Sequence, residues 1–448
     1  MEQRITLVVF LPKPYREMIK YFDSSSGEAL CVGFGKAVPD PSKPTWKRLE
    51  ISEVLIPDDA DYVCRTHSFI HMKRQFTEKI KRFTEEHQLR PLVFDHKQPI
   101  DVPSGTDAVT SRKVAEYYSD AVMGSYNFPT HRFFRFAGEK GMEMVSWMVD
   151  DETFDRQELV FGKEPQYAIA STKVLLVGAG GVGWKTATDL VLKGFCWIDI
   201  VDPDTIEQSN LARLPVHPSS VGKMKAEELA NMLREIRPNG NFQAWTGTIE
   251  TVPEAQFAQY DLMIVATDNV PSRLNCNDIS ILRRIPSIQI GASLENNQAA
   301  VSRRVVIPGV TPCFECHKEF TPEQLRFNYL TREQKERLKT NSNYGSPRPV
   351  PSVVDLNSIA AGLVADAAFR ILAKTEAAPA YVILNLTTTK FESYFEGRDP
   401  NCRACSQIPD FDADWLVSNR EDVTQSASAV ITRSRTNESN RRGEGVHS

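Results

Sequence analysis

At 448 residues the chain has room for two or three domains of ~100–200 residues each. Its 53 Lys plus Arg against 58 Asp plus Glu leave a net charge of −5, which argues against a nucleic-acid binder acting through bulk positive charge. A hydrophobic share of 41% excludes global disorder, and no apolar run approaches the ~18–20 residues of a membrane-spanning helix.

Residues 1–150 read as an α+β domain. Ile5 to Leu11 is a β-rich run closed by Pro12, and Ala29 to Phe34 is a second strand. Met72 to Leu89 spaces Phe76, Ile80 and Phe83 at helical intervals, and Pro91 to Phe94 returns to strand. Met144 to Asp155 is the expected junction. The start, MEQRITLVVFLPKPYR, lacks the basic, apolar, small-residue order of a signal peptide, so the expected location is the cytoplasm.

Residues 151–412 alternate strand, Gly-rich turn and helix, the pattern of a mostly parallel α/β sheet. Val174 to Val177, Trp197 to Asp202 and Leu262 to Ala266 are strands. Trp184 to Leu192, Lys223 to Arg237 and Leu356 to Leu372 are helices, the second with Ala226, Leu229, Ala230 and Leu233 on one face. Between them the polar stretch 317–351 is expected to be an exposed crossing loop, and 413–448, rich in Ser, Arg and Glu, a disordered tail.

Gly178-Ala179-Gly180-Gly181-Val182-Gly183 fits GxGxxG between a strand and a helix, where glycines let a phosphate approach the backbone and the helix N-terminus favours the anion. Asp202, 19 residues after Gly183, stands where an acid would accept hydrogen bonds from a ribose; capping a turn is the plainer role for a strand-end Asp. Asn210, Arg213 and Lys225 follow. Two cations so placed suit phosphate chemistry, in which they offset charge building toward a leaving pyrophosphate. Asp268-Asn269 ends a buried strand with Arg273 nearby, and the Asp could hold Mg²⁺. Any one of these is equally explained as a solvated surface charge; the ordered set is not.

The set resembles the superfamily of ubiquitin-activating enzymes that includes the ThiF/MoeB sulfur-carrier activators. The resemblance covers roughly 154–408, through Arg156-Gln157, VLLVGAGGVG (174–183), DIVDPDTIEQSNLAR (199–213), VGKMKAE (221–227) and ATDNVPSR (266–273). It implies a Rossmann-like adenylation domain that activates the C-terminal glycine of a ubiquitin-like protein with ATP and Mg²⁺. By position it implies Gly178, Gly180, Gly181, Gly183 and Asp202 as the nucleotide cradle, with Asn210 and Asn269 beside it. Asn210, Arg213 and Lys225 would grip phosphates and Asp268 the Mg²⁺. Arg156 would reach into the partner subunit's site, implying a homodimer. Leu214 departs from the Gln usual there, a change expected to affect local packing.

Cys313-x-x-Cys316 and Cys402-x-x-Cys405, separated by 85 residues, supply four thiolates, the ligand set of a structural Zn²⁺ knuckle that the resembled family also carries here. A redox CxxC is the alternative. Cys31, Cys64, Cys196 and Cys276 sit among apolar residues and read as core. Many members of the resembled family carry a nucleophilic Cys on the crossing loop. Here that position falls near Pro347, beside Ser346, and no Cys lies between Cys316 and Cys402. Either the reaction stops at the acyl-adenylate, or Ser346 (failing that, Ser342 or Ser352) takes the acyl group as an ester.

Glu28 and His96 with Ser104-Gly105-Thr106-Asp107 faintly resemble a JAB/MPN metalloprotease pattern, but its first His falls at Phe94, implying an inactive binding relative. An unrelated α+β domain fits as well, and His67 and His71 are explained by a solvated helix face. The favoured function is the activating enzyme of a bacterial-type ubiquitin-like conjugation pathway, with a conjugating enzyme or sulfur-carrier partner and neither nucleic acid nor membrane. Sulfur-carrier adenylation, an NAD-dependent oxidoreductase and a catalytically dead scaffold are the competing readings.

Overall fold

Strand β1 (Arg4–Phe10) is buried along almost its whole length because its two faces serve two different cores. Val8 and Phe10 join Trp147, Phe133, Phe22 and Met18, while Leu7 and Val9 join Met148, Phe154, Tyr167 and Ala170. Alternation of side chains along a strand makes that division possible. The computed structural model describes residues 4–40, 43–65, 70–98, 105–127, 130–136, 142–295, 298–317, 352–372, 380–394 and 397–408. The chain divides into two units, one of residues 1–172 with 191–197 and 233–242, the other of the remainder.

In the first unit the strands after β1 are β2 (Ala29–Asp40), β3 (Lys43–Leu55), β4 (Tyr62–Arg65), β5 (Ile70–Met72), β6 (Arg90–Lys97), β7 (Val122–Asn127), β8 (Thr130–Phe136) and β9 (Met142–Val149). Seven of them close a barrel in the order β1-β3-β2-β6-β7-β8-β9, and β4 and β5 form a separate pair. Helix α1 (Pro12–Ser24) starts at the Pro that ends β1, since Pro lacks the N–H that a first helical turn leaves unpaired. Helix α2 (Arg74–His87) buries Phe76 and Ile80, one turn apart, against Val32 and Phe34 of β2. Helix α3 (Gly105–Tyr117) completes the set before β7.

The expected junction at Met144 to Asp155 begins within the last strand of the barrel. Its first half is β9, which pairs in parallel with β1 (Leu7 with Ser146, Phe10 with Val149) and closes the barrel, with Trp147 only 2% exposed. The acidic run that follows gives the stretch its linker-like look. Helices α4 (Asp155–Phe161) and α5 (Lys163–Ser171) belong to the first unit. Arg48 of β3 binds Glu164 at 2.8 Å and lies over the Tyr167 ring at 4.3 Å, fastening α5. Two smaller readings also change: His71 lies on β5 and not on a helix, and Cys64 is exposed on the β4–β5 pair.

The second sheet has eight strands, β10 (Lys173–Val177), β11 (Trp197–Val201), β12 (Asn241–Trp245), β13 (Leu262–Val265), β14 (Ser287–Glu295), β15 (Gln298–Val306), β16 (Tyr381–Asn385) and β17 (Lys390–Tyr394). Their order is β12-β11-β10-β13-β14-β15-β16-β17. β10 and β13 pair in parallel and are apolar on both faces, as strands covered on two sides must be, and β14 pairs in parallel with β13. From β14 onward every pairing is antiparallel, so the sheet is mixed. β14 with β15 and β16 with β17 follow each other directly along the chain, and antiparallel neighbours of that kind need no crossover helix.

Helices α6 (Gly181–Lys193), α7 (Lys225–Ile236), α8 (Val270–Arg283) and α9 (Val354–Leu372) accompany this sheet. On α7 the predicted face of Ala226, Leu229, Ala230 and Leu233 is fully buried. α9 lies on β14 and β15, where Ala360, Ala361, Ala367 and Ala368 allow close approach. The crossing loop beyond His317, with Ser342, Ser346 and Pro347, and the tail 413–448 lie outside the described residues. Among the described residues no helix is long and apolar enough to cross a membrane.

Candidate functional site

β10 ends at Val177 and the chain turns at Gly178, whose φ of +101° is a conformation that favours glycine. A Cβ there would lie 2.8 Å from Ala266 O, and one at Gly183 would overlap Gly178 O, so both positions admit no side chain. At Gly180 a Cβ would meet nothing within 4 Å. The turn is therefore packed beneath and open at Gly180, where the N-terminus of α6 presents its unpaired N–H groups.

Asp202, one residue past β11, fixes this turn from within. Its Oδ2 accepts the Ala179 N–H at 2.6 Å and its Oδ1 accepts the Asp204 N–H at 2.9 Å. It is 5% exposed, and burial pushes its carboxyl above the usual range despite these two donors. The spacing in the sequence points to a ribose partner; the structure gives both oxygens to the backbone.

The cations come from the segment after Asp202. Asn210 is buried, and its Oδ1 accepts the Glu207 N–H at 3.1 Å, shaping a short 3₁₀ turn. That turn delivers Arg213, half-buried, with Nη1 donating to Ser209 O at 3.0 Å and Cδ beside Gly181. Leu214 is buried beneath it, in keeping with a packing role. Lys225 opens α7 and donates from Nζ to Asp204 Oδ2 at 2.9 Å. Asp204 thus bridges Asp202 and Lys225.

From β13, next to β10 in the sheet, comes the opposite edge. Asp268 is exposed, and Asn269 Oδ1 accepts the Ser272 N–H at 2.9 Å to cap α8. Thr267 Oγ1, buried, meets no partner among the described residues. Arg273 is half-buried in the first turn of α8, with Nη2 donating to Ile290 O at 2.6 Å; desolvation, and then the neighbouring Arg304, push it down to about 10. Arg156 stands exposed on α4, within the first unit.

One residue of the site is missed by the sequence reading. Asn357, in the first turns of α9, is 2% exposed, and a Cβ on Gly181 would overlap its Nδ2. The legible signal is the lone amide in the otherwise small and apolar run LNSIAAGLVADAAFRIL.

A second cluster lies in the same unit. Cys313 and Cys402 sulfurs are 3.6 Å apart, Cys316 and Cys405 3.5 Å, and Cys313 and Cys316 3.8 Å. These separations are too long for disulfides, whereas four sulfurs ~2.3 Å from a central ion in a tetrahedron stand about 3.8 Å apart. The bond between Cys313 and Cys316 holds the Cys316 thiol low, while the same bond and burial push the Cys313 thiol up. Arg403 pairs with Glu315 and with Asp278 at 3.1 Å, and Arg398 donates to Ile408 O at 2.8 Å, so both CxxC turns are braced.

In the barrel, His96 is buried, Nδ1 donating to Gly124 O at 2.8 Å and Nε2 lying 3.2 Å from Gln98 Oε1. Phe94 stands beside it in β6 and packs with the α2 core. Ser104 and the side chain of Asp107 lie outside the described residues.

The profile of the ThiF family matches residues 154–404. The chain is 30% identical over 220 residues to adenylyltransferase and sulfurtransferase uba4 of Aspergillus niger, covering 47% of this chain and 45% of that protein. It is 34% identical over 171 residues to ubiquitin-activating enzyme E1-like of Saccharomyces cerevisiae, covering 37% of this chain and 26% of that one. The chain thus spans less than half the length of either relative. A crystal structure of E. coli MccB with ATP is similar at a TM-score of 0.47 and 21% identity, over 69% of this chain and 83% of that one.

Proposed function

The chain belongs to the ThiF family, and we propose that it adenylates the C-terminal glycine of a ubiquitin-like protein with ATP and passes it to a downstream carrier. The observation that carries this reading is the open face at Gly180, on a turn pinned by Asp202, with Arg213 at its rim. A carboxylate oxygen of the glycine would attack the α-phosphorus while the bond to the β-phosphate breaks and pyrophosphate leaves. Arg213 and Lys225 would offset the charge that spreads over the phosphates in that step. Asp268, an exposed hard-oxygen donor, would hold Mg²⁺, which supplies further charge neutralisation.

The four thiols suit a structural Zn²⁺ by their number, softness and spacing. Arg156 would serve the site of a second copy, and the homodimer this requires would cover Leu159 and Val160, 87% and 82% exposed on the same helix. Ser346 remains the proposed acyl acceptor; an adduct stable to thiol reductants and cleaved by strong base would identify the ester. Sulfur-carrier adenylation is the second reading, favoured by the similarity to the Aspergillus adenylyltransferase and sulfurtransferase.

The deciding measurement is exchange of labelled pyrophosphate into ATP in the presence of the cognate small protein. Arg213→Ala and Asp268→Ala should each lower it by ~10²–10³ with the fold intact. Near-normal exchange in either variant would remove that residue from the site, and no exchange in the parent protein would remove the reaction.

A further inference from the structure

Asn357 is difficult to explain as packing. Buried amides carry a desolvation cost that an aliphatic side chain of similar size avoids, unless their two donors and acceptor oxygen are well bonded. Among the described residues its side chain meets Ser352: Nδ2 donates to Ser352 Oγ at 3.3 Å, and Oδ1 accepts from it at 3.4 Å. Both bonds are long, and a single exposed hydroxyl takes both. Nδ2 is also the atom nearest the side of Gly181 where a Cβ would project, and Arg213 Cδ is next nearest after the amide itself. An uncharged donor thus sits against the first residue of α6, on the same side as the arginine stem and one residue from the open face at Gly180.

We propose that Asn357 Nδ2 is a binding residue for the phosphates of the nucleotide, adding a side-chain donor to the backbone N–H groups at the start of α6 and to Arg213. The assignment rests on the adenylation reading and extends it to an element, α9, that lies more than a hundred residues further along the chain. Its partner Ser352 immediately follows the crossing loop, so the same amide ties the end of that loop to the phosphate side of the site.

The test uses the full-length protein and two probes, Mg·ATP and adenosine, measured by calorimetry. Asn357→Ala should weaken ATP binding about tenfold, the lower range for loss of a hydrogen bond to a charged group, and leave adenosine binding unchanged. Asn357→Asp keeps the side-chain shape should the Ala variant fold poorly. It should weaken ATP further by placing a carboxylate against the phosphates, again sparing adenosine. Unchanged ATP affinity in the folded variants, or an equal loss for adenosine, would overturn the assignment. Failure of the parent protein to bind ATP would instead overturn the adenylation reading itself.

Discussion

Two aspartates, one in each unit, are buried almost equally and come to opposite ends. Asp95 in the barrel accepts His131 Nε2–H at 2.6 Å, and the ring of His131 is enclosed by Trp147, Phe133 and Tyr15. Asp202 in the second unit accepts two backbone N–H groups and stands beneath a turn that is open at Gly180. Asp95 lies so close to β7 that a Cβ on Gly124 would overlap its carboxylate. Burial of an acid therefore marks no site by itself. What separates the two is where the neighbouring space is filled: the His131 partner of Asp95 lies among aromatic rings, whereas a Cβ at Gly180, on the turn that Asp202 pins, would meet nothing within 4 Å. A carboxylate with an imidazole partner in a filled core contributes to the fold. One that fixes backbone donors toward open space prepares a place for an anion.

The four cysteines extend the comparison, because three of them are buried as Asp95 is, Cys316 is half-buried, and all converge on one point. If convergence is what matters, Cys402→Ser should give the largest loss. About one zinc per chain should be absent by metal analysis, and unfolding should lose its cooperativity, as structural zinc sites carry folding energy. A parent protein with no zinc, or with four freely titrating thiols, would return the cluster to packing. Next in size, Asp95→Ala leaves a buried imidazole without its acid and should cost about 3–5 kcal/mol in denaturant unfolding, with ATP binding unchanged.

Two glycine substitutions set the regions directly against each other. Gly124→Ala should destabilise by about 1–3 kcal/mol because the carboxylate of Asp95 must move, again without effect on ATP. Gly180→Ala should leave the melting temperature in place, since its Cβ meets nothing, and weaken ATP binding. The reverse pattern would show that the open face has been misassigned. The smallest effect is one of pH. Burial raises the Asp202 carboxyl, so the native state holds a proton that the unfolded chain has already released. Stability should then fall as pH rises from about 3.9, the ordinary Asp value, through the raised native value. Asp202→Asn should flatten that slope, and a slope unaltered by the substitution would assign it to other groups.

Much of the second unit was legible because its signals are local. Strand, glycine turn and helix follow one another within Lys173–Lys193, the apolar face of α7 repeats at helical spacing, and each CxxC is a short turn. The barrel was less so. β3, thirteen residues of mixed polarity, carries little alternation, and β9 was read as a boundary because its sequence runs into acidic residues. The antiparallel half of the second sheet was missed for a related reason. Gln298–Val306 contains two arginines, a residue type rare inside a strand's core, yet Arg303 and Arg304 are buried.

The sequence by itself determined the chemistry available, namely a glycine turn after a buried strand, an ordered series of cations and carboxylates, and two thiol pairs. Those features depend on residues close together along the chain, where backbone geometry leaves few choices. Only the tertiary structure decided which groups meet. It brought Cys313 to Cys402, closed β9 on β1, turned both oxygens of Asp202 inward to the backbone, and set Asn357 against Gly181. Such contacts follow from strand register and helix packing over distances of many residues, and no local pattern fixes them.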